Sequence, residues 1–262
     1  MTRFDALARE LDRWEALGRR ATLWLRDDDA CSDSPALRRL FAIAGEHAVP
    51  VTIAAIAATA DSTLVDALGV CDEATVVQHG YAHRNHAPPG ERSAELGDGR
   101  DLRARLDELH RGRARLAQAF GERFAPILVP PWNRAGDALL PHLAAAGFAG
   151  ISRFGPRATR DAAPGLAQVN THVDPIAWRR DRAFIGADAA LERMTAHLAA
   201  RRSHACDPDE PTGLLTHHLV FADAAFDFVD DLLRHACLHR AVVWLGAKQA
   251  FALQPAAVIS CQ

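Results

Sequence analysis

Short apolar runs alternate with amphipathic stretches along the whole chain. Phe4, Leu7, Leu11, Trp14 and Leu17 recur at helical spacing and predict an amphipathic N-terminal helix within residues 1–20, added ahead of the first strand and packed on the outside of the fold. Residues 22–25 form the first apolar run. Ser34-Pro35 offers an N-cap and a first-turn proline for a helix reaching about Ala48, and Pro50 stops it before the strand at 51–56. The alternation continues with a short helix at 64–68, a strand at 75–78, an arginine-rich helix at 101–120 and a strand at 127–129. Beyond Gly136 come a helix ended by Gly147, strands at 150–151 and 168–170, a helix at 189–200, a strand at 213–216, a helix at 224–238 and a last strand at 242–244. About eight short strands separated by helices indicate an α/β fold with a parallel sheet. No linker breaks the series, so residues 1–262 read as one domain. The stretch 85–99, rich in Pro, Gly and charge, is the one candidate for a long exposed loop, and loops of that length often border a substrate.

Polar clusters fall at strand ends: Asp27-Asp28-Asp29, His79 to His86, Trp132-Asn133-Arg134, Asn170 to Asp174 and His217-His218. An open sheet gathers its ligand groups at one switch point, whereas a closed barrel presents many strand ends to one mouth. Five separate clusters favour a (β/α) barrel of about seven or eight parallel strands. The chain is 49% hydrophobic and 24% charged with a net charge of -3, the make-up of an ordinary globular protein. Its arginines are spread among acids, which argues against a nucleic-acid partner. No segment approaches the about eighteen uncharged residues of a membrane span. The N-terminus lacks a signal-like apolar stretch, so the expected location is cytoplasmic. Cys31, Cys71, Cys206, Cys237 and Cys261 are scattered without a Cys-x-x-Cys pair, as expected of reduced thiols.

Three adjacent carboxylates on a strand tip repel one another unless a cation or an arginine neutralises them. His79 and His83, four residues apart, can face the same point, and one carboxylate with two imidazoles leaves a divalent metal an open position for water or substrate. Pro130-Pro131-Trp132-Asn133 removes backbone donors and forces a rigid bend that can offer an aromatic wall and a backbone N–H. Histidine titrates near neutral pH, so one at the end of the 213–216 strand is suited to protonate a leaving group. Strand alternation sends His217 and His218 to opposite faces, so only one points to the centre. His172 and Asp174, with Trp178 close behind, add another imidazole and acid, and Asp174 could accept the acid histidine's second ring N–H.

In order, Arg26-Asp27-Asp28-Asp29, His79-x-x-x-His83, Val129-Pro130-Pro131-Trp132, Asp174 and Leu214-x-x-His217 resemble the motifs of the polysaccharide deacetylase family, carbohydrate esterase family 4, over nearly the whole chain. The resemblance implies a distorted (β/α) barrel holding a divalent metal, commonly zinc, and hydrolysing N-acetyl groups of amino sugars. It implies Asp29, His79 and His83 as ligands, Asp28 as general base and His217 as general acid. Asp27 and Asp28 are the alternative register for base and ligand. The proline-rich motif usually begins with an arginine that supports the base; Val129 stands there, and Arg26 or Arg134 is the candidate replacement. Arg26, Asp27, Pro131, Trp132, Asn133, Arg134, His172, Asp174 and His218 are expected to bind the substrate or to support the site, the substrate being a small molecule or glycan with an N-acyl group. Two other classes compete. One is a deacetylase-like carbohydrate-binding protein without turnover, suggested by the missing arginine; the other is a two-histidine, one-carboxylate iron enzyme, which the strand-helix alternation does not favour.

Overall fold

The computed structural model describes residues 2–71 and 73–253. In order these form α1 (Asp5–Ala16), β1 (Ala21–Ala30), α2 (Pro35–Glu46), β2 (Val51–Ala55), α3 (Ser62–Leu68), β3 (Ala74–His79), α4 (Leu102–Phe120), β4 (Phe124–Val129), α5 (Leu140–Leu143), β5 (Gly150–Ile151), β6 (Asp161–Ala163), β7 (Leu166–Gln168), α6 (Ala187–Arg202), β8 (Thr212–Thr216), α7 (Asp223–Cys237), β9 (Val242–Leu245) and α8 (Ala247–Ala250). Short polar side chains start several helices by taking their free N–H groups: Ser34 accepts from Leu37, Asp61 from Thr63 and Leu64, and Asp101 from Ala104.

Among the described residues the nine strands make one sheet in the order β6-β7-β5-β4-β3-β2-β1-β8, parallel throughout except for the β6–β7 pair. β9 lies along Ala21 to Trp24 of β1, on the edge that β2 takes over from Leu25 onward, while β8 follows the other edge. After β7 the chain stays extended. Phe154 bridges Thr171 and Val173 bridges Leu214 of β8, which draws the curled sheet round into a distorted barrel along a seam of isolated bridges. Gly213 on β8 permits this approach, because a Cβ there would meet Trp24 Nε1 at 2.5 Å and Thr171 Cα at 2.7 Å.

Side-chain alternation divides the core into layers. Trp24, Ala54, Val77, Ile127, Val129 and Val169 fill the inside of the curl, with Phe251 after α8 packed among them. The opposite strand faces, with Leu25, Ile53, Val76 and Leu214, pack against α1, α2, α3, α6 and α7, and Leu128 and Ile151 pack with α4 and α5. α1 lies outside, as its periodicity predicts, where buried Glu10 pairs with Arg202 of α6. Three expectations need correction. The helix after Gly136 shrinks to the four residues of α5. The 161–163 strand and α8 were not anticipated, being too short to carry a periodic signal. Within the loop at 85–99, Glu95 and Leu96 are buried.

Two bulges break the alternation where polar residues gather. The β1–β2 register shifts between Asp27 and Ala30, with Asp29 in the left-handed region at φ 71°. On the seam, His172 N–H and Val173 N–H both donate to the Gly213 carbonyl. Each bulge re-aims the residue that follows. No helix among the described residues is long and apolar enough to cross a membrane. Cys31, Cys71, Cys206 and Cys237 form no disulfide, and Cys261 lies outside the described residues.

Candidate active site

The three aspartates go three ways. Asp27 faces outward: Thr216 Oγ1 and the His218 N–H donate to its Oδ1, and its Oδ2 lies 2.5 Å from His218 Nδ1. Burial lowers the His218 pKa, but the Asp27 charge outweighs it and raises it. Asp27 and His218 therefore tie β1 to β8, and alternation points their side chains away from the mouth, so of binding or supporting the substrate the geometry leaves them the supporting role. Asp28 faces inward and accepts two N–H bonds from one edge of a guanidinium. Arg26 Nε donates to its Oδ1 at 2.8 Å and Nη2 to its Oδ2 at 2.9 Å. Arg26 is itself fully buried and also donates to Ser152 Oγ and Asn133 Oδ1 at 2.6 and 2.7 Å. Arg134 does not reach Asp28; its Nη1 donates to the Ser93 carbonyl.

Asp29 is turned by the bulge toward the histidines. Its Oδ1 lies 3.1 Å from His79 Nε2 and 3.2 Å from His83 Nε2. Burial pushes the Asp29 carboxyl up, but the His79 hydrogen bond and the charges of His79, His217 and His83 hold it well below the usual range. His79 Nδ1 lies 3.0 Å from the Val129 carbonyl, a contact only an N–H can satisfy. Burial lowers the His79 pKa, but the Asp28 charge and then the Asp29 hydrogen bond and charge outweigh it and raise it, so Nε2 is the nitrogen that an ion would take in place of a proton. For His83, burial and then the His79 charge lower the pKa, and its Nε2 faces the same oxygen. Asp29, His79 and His83 each turn one possible ligand atom to one point, and the second-nitrogen contact of His79 with a carbonyl is the usual support of a metal-bound histidine. This donor set fits a divalent ion.

The loop that carries His83 is shaped by a residue that the sequence did not single out. Glu95, 1% exposed, accepts N–H bonds from Tyr81 at 2.9 Å and Ala82 at 2.7 Å. At Gly80 (φ 56°) a Cβ would strike Glu95 Oε2 at 2.0 Å and Pro131 Cδ at 2.5 Å, so only glycine fits between them. After Pro131, Trp132 and Asn133 both adopt left-handed φ values, 55° and 57°. Such strain persists where the surroundings fix it. Here the Trp132 ring lies 4.4 Å from that of His83, and Asn133 holds Arg26. The Asn133 and Arg134 N–H groups close the turn on Pro130 and Pro131.

His217 faces inward from the end of β8. Its ring meets Trp178 edge-on at 4.6 Å, and its buried Nδ1 has no hydrogen-bond partner among the described residues. Asp174 is brought beside it by the seam bulge but does not hold it, contrary to expectation. Ile176 N–H takes Asp174 Oδ1 and the Trp178 indole N–H takes Oδ2. Burial raises the Asp174 pKa. Trp178 thus links acid and imidazole.

His172 does not belong to the site, a further correction. It lies before the bulge and points outward, stacked on His197 with centroids 3.6 Å apart and planes 19° from parallel, near Glu210. Gly213 N–H donates to His172 Nδ1, so its Nε2 carries the proton, and lone pairs in nearly parallel planes cannot meet at one ion. This second group of donors is packing, not a metal site. Burial, and then the neighbouring cation Arg201, lower the His172 pKa despite Glu210; burial and then His172 lower that of His197 to about 2.

No protein-family profile matches the sequence, and no curated protein matches it. Solved structures are similar to it. A Mycobacterium smegmatis protein assigned to the polysaccharide deacetylases superposes with a TM-score of 0.66 at 16% identity, over 89% of this chain and 90% of its own. The family 4 carbohydrate esterase from Streptomyces lividans, solved in complex with acetate, gives 0.53 at 14% identity, over 85% of this chain and 90% of its own. A family 4 carbohydrate esterase pseudoenzyme from Bacillus anthracis gives 0.53 at 16% identity, over 82% and 60%. Arrangement of strands, barrel closure and these superpositions together give this chain the fold of the polysaccharide deacetylases.

Proposed function

We propose that the protein is a metal-dependent hydrolase that removes an N-acetyl or similar acyl group from an amino sugar or small amide. The observation that carries this reading is the meeting of Asp29, His79 and His83 at one point. Arg26-held Asp28 and unpartnered His217 flank the same mouth. A divalent ion bound by Asp29, His79 and His83, zinc by the family resemblance, supplies a Lewis acid for the acyl carbonyl and lowers the pKa of the attacking water.

The chain's own groups do the rest. Asp28, fixed in orientation by both guanidinium contacts, accepts the proton of the attacking water. His217 gives a proton to the departing amine, leaving acetate and a free amino group. Trp132 and Trp178 wall the two sides on which His83 and His217 stand. Arg26 occupies the role that the family's arginine plays at the position of Val129, reached from two residues before the base. The alternative, a deacetylase-like carbohydrate-binding protein without turnover, draws on Val129 and on the pseudoenzyme of similar fold. The intact Arg26–Asp28 pair speaks against it.

The test is acetate release from a panel of N-acetyl amino sugars and small amides by protein stripped with a chelator and then restored with zinc, cobalt or manganese. Activity lost on stripping and regained on restoration is the expected result. A protein that binds metal and sugars yet releases no acetate from any of them would leave the binding protein as the correct reading.

A further inference from the structure

A cleft of about 390 Å³ opens beside the Arg26–Asp28 pair and contains no metal ligand and neither proton-transfer group. It lies along the arc of β4, β5 and β7. Asn133, on the strained turn after β4, lines it together with Arg153 and Phe154 after β5, Ala162 of β6, Gln168 of β7 and Asn170 just beyond. Arg26 reaches from β1 to this wall: its Nη2 donates to Asp28 Oδ2 at 2.9 Å and to Asn133 Oδ1 at 2.7 Å. One guanidinium therefore separates the proposed base from the cleft. The volume falls within the range of small-molecule pockets, about 300–1,000 Å³.

The polar lining is one-sided. Asn133 Oδ1 is taken by Arg26, and Gln168 Oε1 by Arg153 Nη2 at 3.0 Å. Asn170 Oδ1 accepts from the Arg153 N–H at 2.9 Å and from Gln168 Nε2 at 3.2 Å. Each amide oxygen of the wall is thus occupied by the protein's own donors. Among the described residues no acceptor meets Asn133 Nδ2 or the Nε and Nη1 of Arg153, and no acid lines the cleft. Asn170 is 2% and Gln168 5% exposed, so the network that fixes these orientations is itself buried. Phe154 is 45% exposed although its backbone is tied by the bridge to Thr171. A phenyl ring held out to water on a fixed backbone gains from a ligand that covers it. Free N–H donors beside an apolar face match a carbonyl group, whose oxygen accepts and whose alkyl neighbour packs on the ring.

We infer that this cleft binds a second, uncleaved carbonyl group of the substrate, an amide or acyl substituent, on Asn133 and Arg153 with Phe154 against its apolar part, while the scissile acyl group reaches Asp29, His79 and His83. This rests on the proposed hydrolase reading and narrows its substrates to molecules that carry two such carbonyls. The cleft contacts the resting parts of the substrate and not the reacting atoms, so its contribution belongs in KM and not in kcat.

The test compares N,N′-diacetylchitobiose with the two disaccharides of the same linkage in which one ring bears a hydroxyl in place of its acetamido group. Ring count and charge stay constant, and only the second carbonyl changes. KM and kcat come from acetate release by the zinc-loaded full chain; binding comes from calorimetry on the same chain stripped of metal, which stops turnover. Both are measured for wild type, Arg153→Met and Phe154→Ser. The diacetylated sugar should be preferred about tenfold in binding and KM at similar kcat, and each variant should bring that ratio near one. Equal values for the three sugars, or a preference that both variants keep, overturns the inference. Acetate release without the preference sinks this inference alone. A binding preference lost in both variants, with no acetate released from any sugar, sinks the hydrolase reading and leaves the cleft's role standing.

Discussion

Neighbouring carboxylates at Asp28 and Asp29 have different partners, so substitutions should separate their roles. Asp28→Asn removes the proton acceptor but leaves the Asp29–His79–His83 group untouched; metal should stay at full occupancy while turnover falls by about a hundredfold or more. His79→Ala removes one of three ligands, and metal and activity should disappear together. Elemental analysis beside acetate-release rates checks both, and either full metal in His79→Ala or normal rates in Asp28→Asn would refute the assignment. The triad was legible because aspartates on a strand tip and two spaced histidines are rare enough to read together. Arg26 was legible only as one of two candidates. Its bidentate grip on Asp28 depends on strand alternation, which puts i and i+2 on one face. Glu95 and Ser152 were not legible at all, since a lone Glu in a polar loop and a lone Ser after a strand carry no spacing signal.

At the scale of the elements, period-two alternation sorted Arg26, Asp28 and His217 inward and Asp27 and His218 outward. It failed at the two bulges. Strict counting sends Asp29 outward, and the chain turns it to the mouth through a left-handed residue; the seam bulge likewise parts Asp174 from His172. A bulge leaves no mark on hydrophobic periodicity, so the loss of His172 from the site could not be foreseen. The outward histidines have their own consequence for pH. His197 is held neutral in the fold, its pKa lowered to about 2 from 6.5, while an unfolded chain takes the proton in the ordinary histidine range. The unfolded state thus binds more protons below that range, and stability, full above pH 6.5, should fall with acidification by up to about 1.4 kcal/mol per pH unit for this group. His172 acts in the same direction. Thermal melts from pH 7.5 to 5 should show this slope, and His197→Asn should flatten it. An unchanged slope in that variant would remove His197 as the cause.

For the whole molecule, alternating strands and helices and the polar clusters at strand ends were enough to expect a barrel and not an open sheet. The short β6–β7 pair and the plug of Phe251 were not readable, because two- and three-residue strands and a four-residue helix lie below the reach of periodicity. A metal at the mouth would join β1 to the end of β3 and the loop after it, across β2, through side chains alone. Ion binding to the folded state alone should therefore raise the melting temperature. With free metal a hundredfold above its Kd the gain is about 2.7 kcal/mol, and a chelator should reverse it in calorimetric scans. A melting point indifferent to chelator and to added zinc would count against a site formed only in the fold.

The closure between Val173 and Leu214 sets Asp174 on one lip and His217 on the other, with Trp178 reaching between them. Few backbone bonds zip those lips. Integrity of the ring and placement of the proton donor are consequently one property: whatever spans the gap acts as a clasp, and a reactant lodged there would tighten the very joint that aims the imidazole at it.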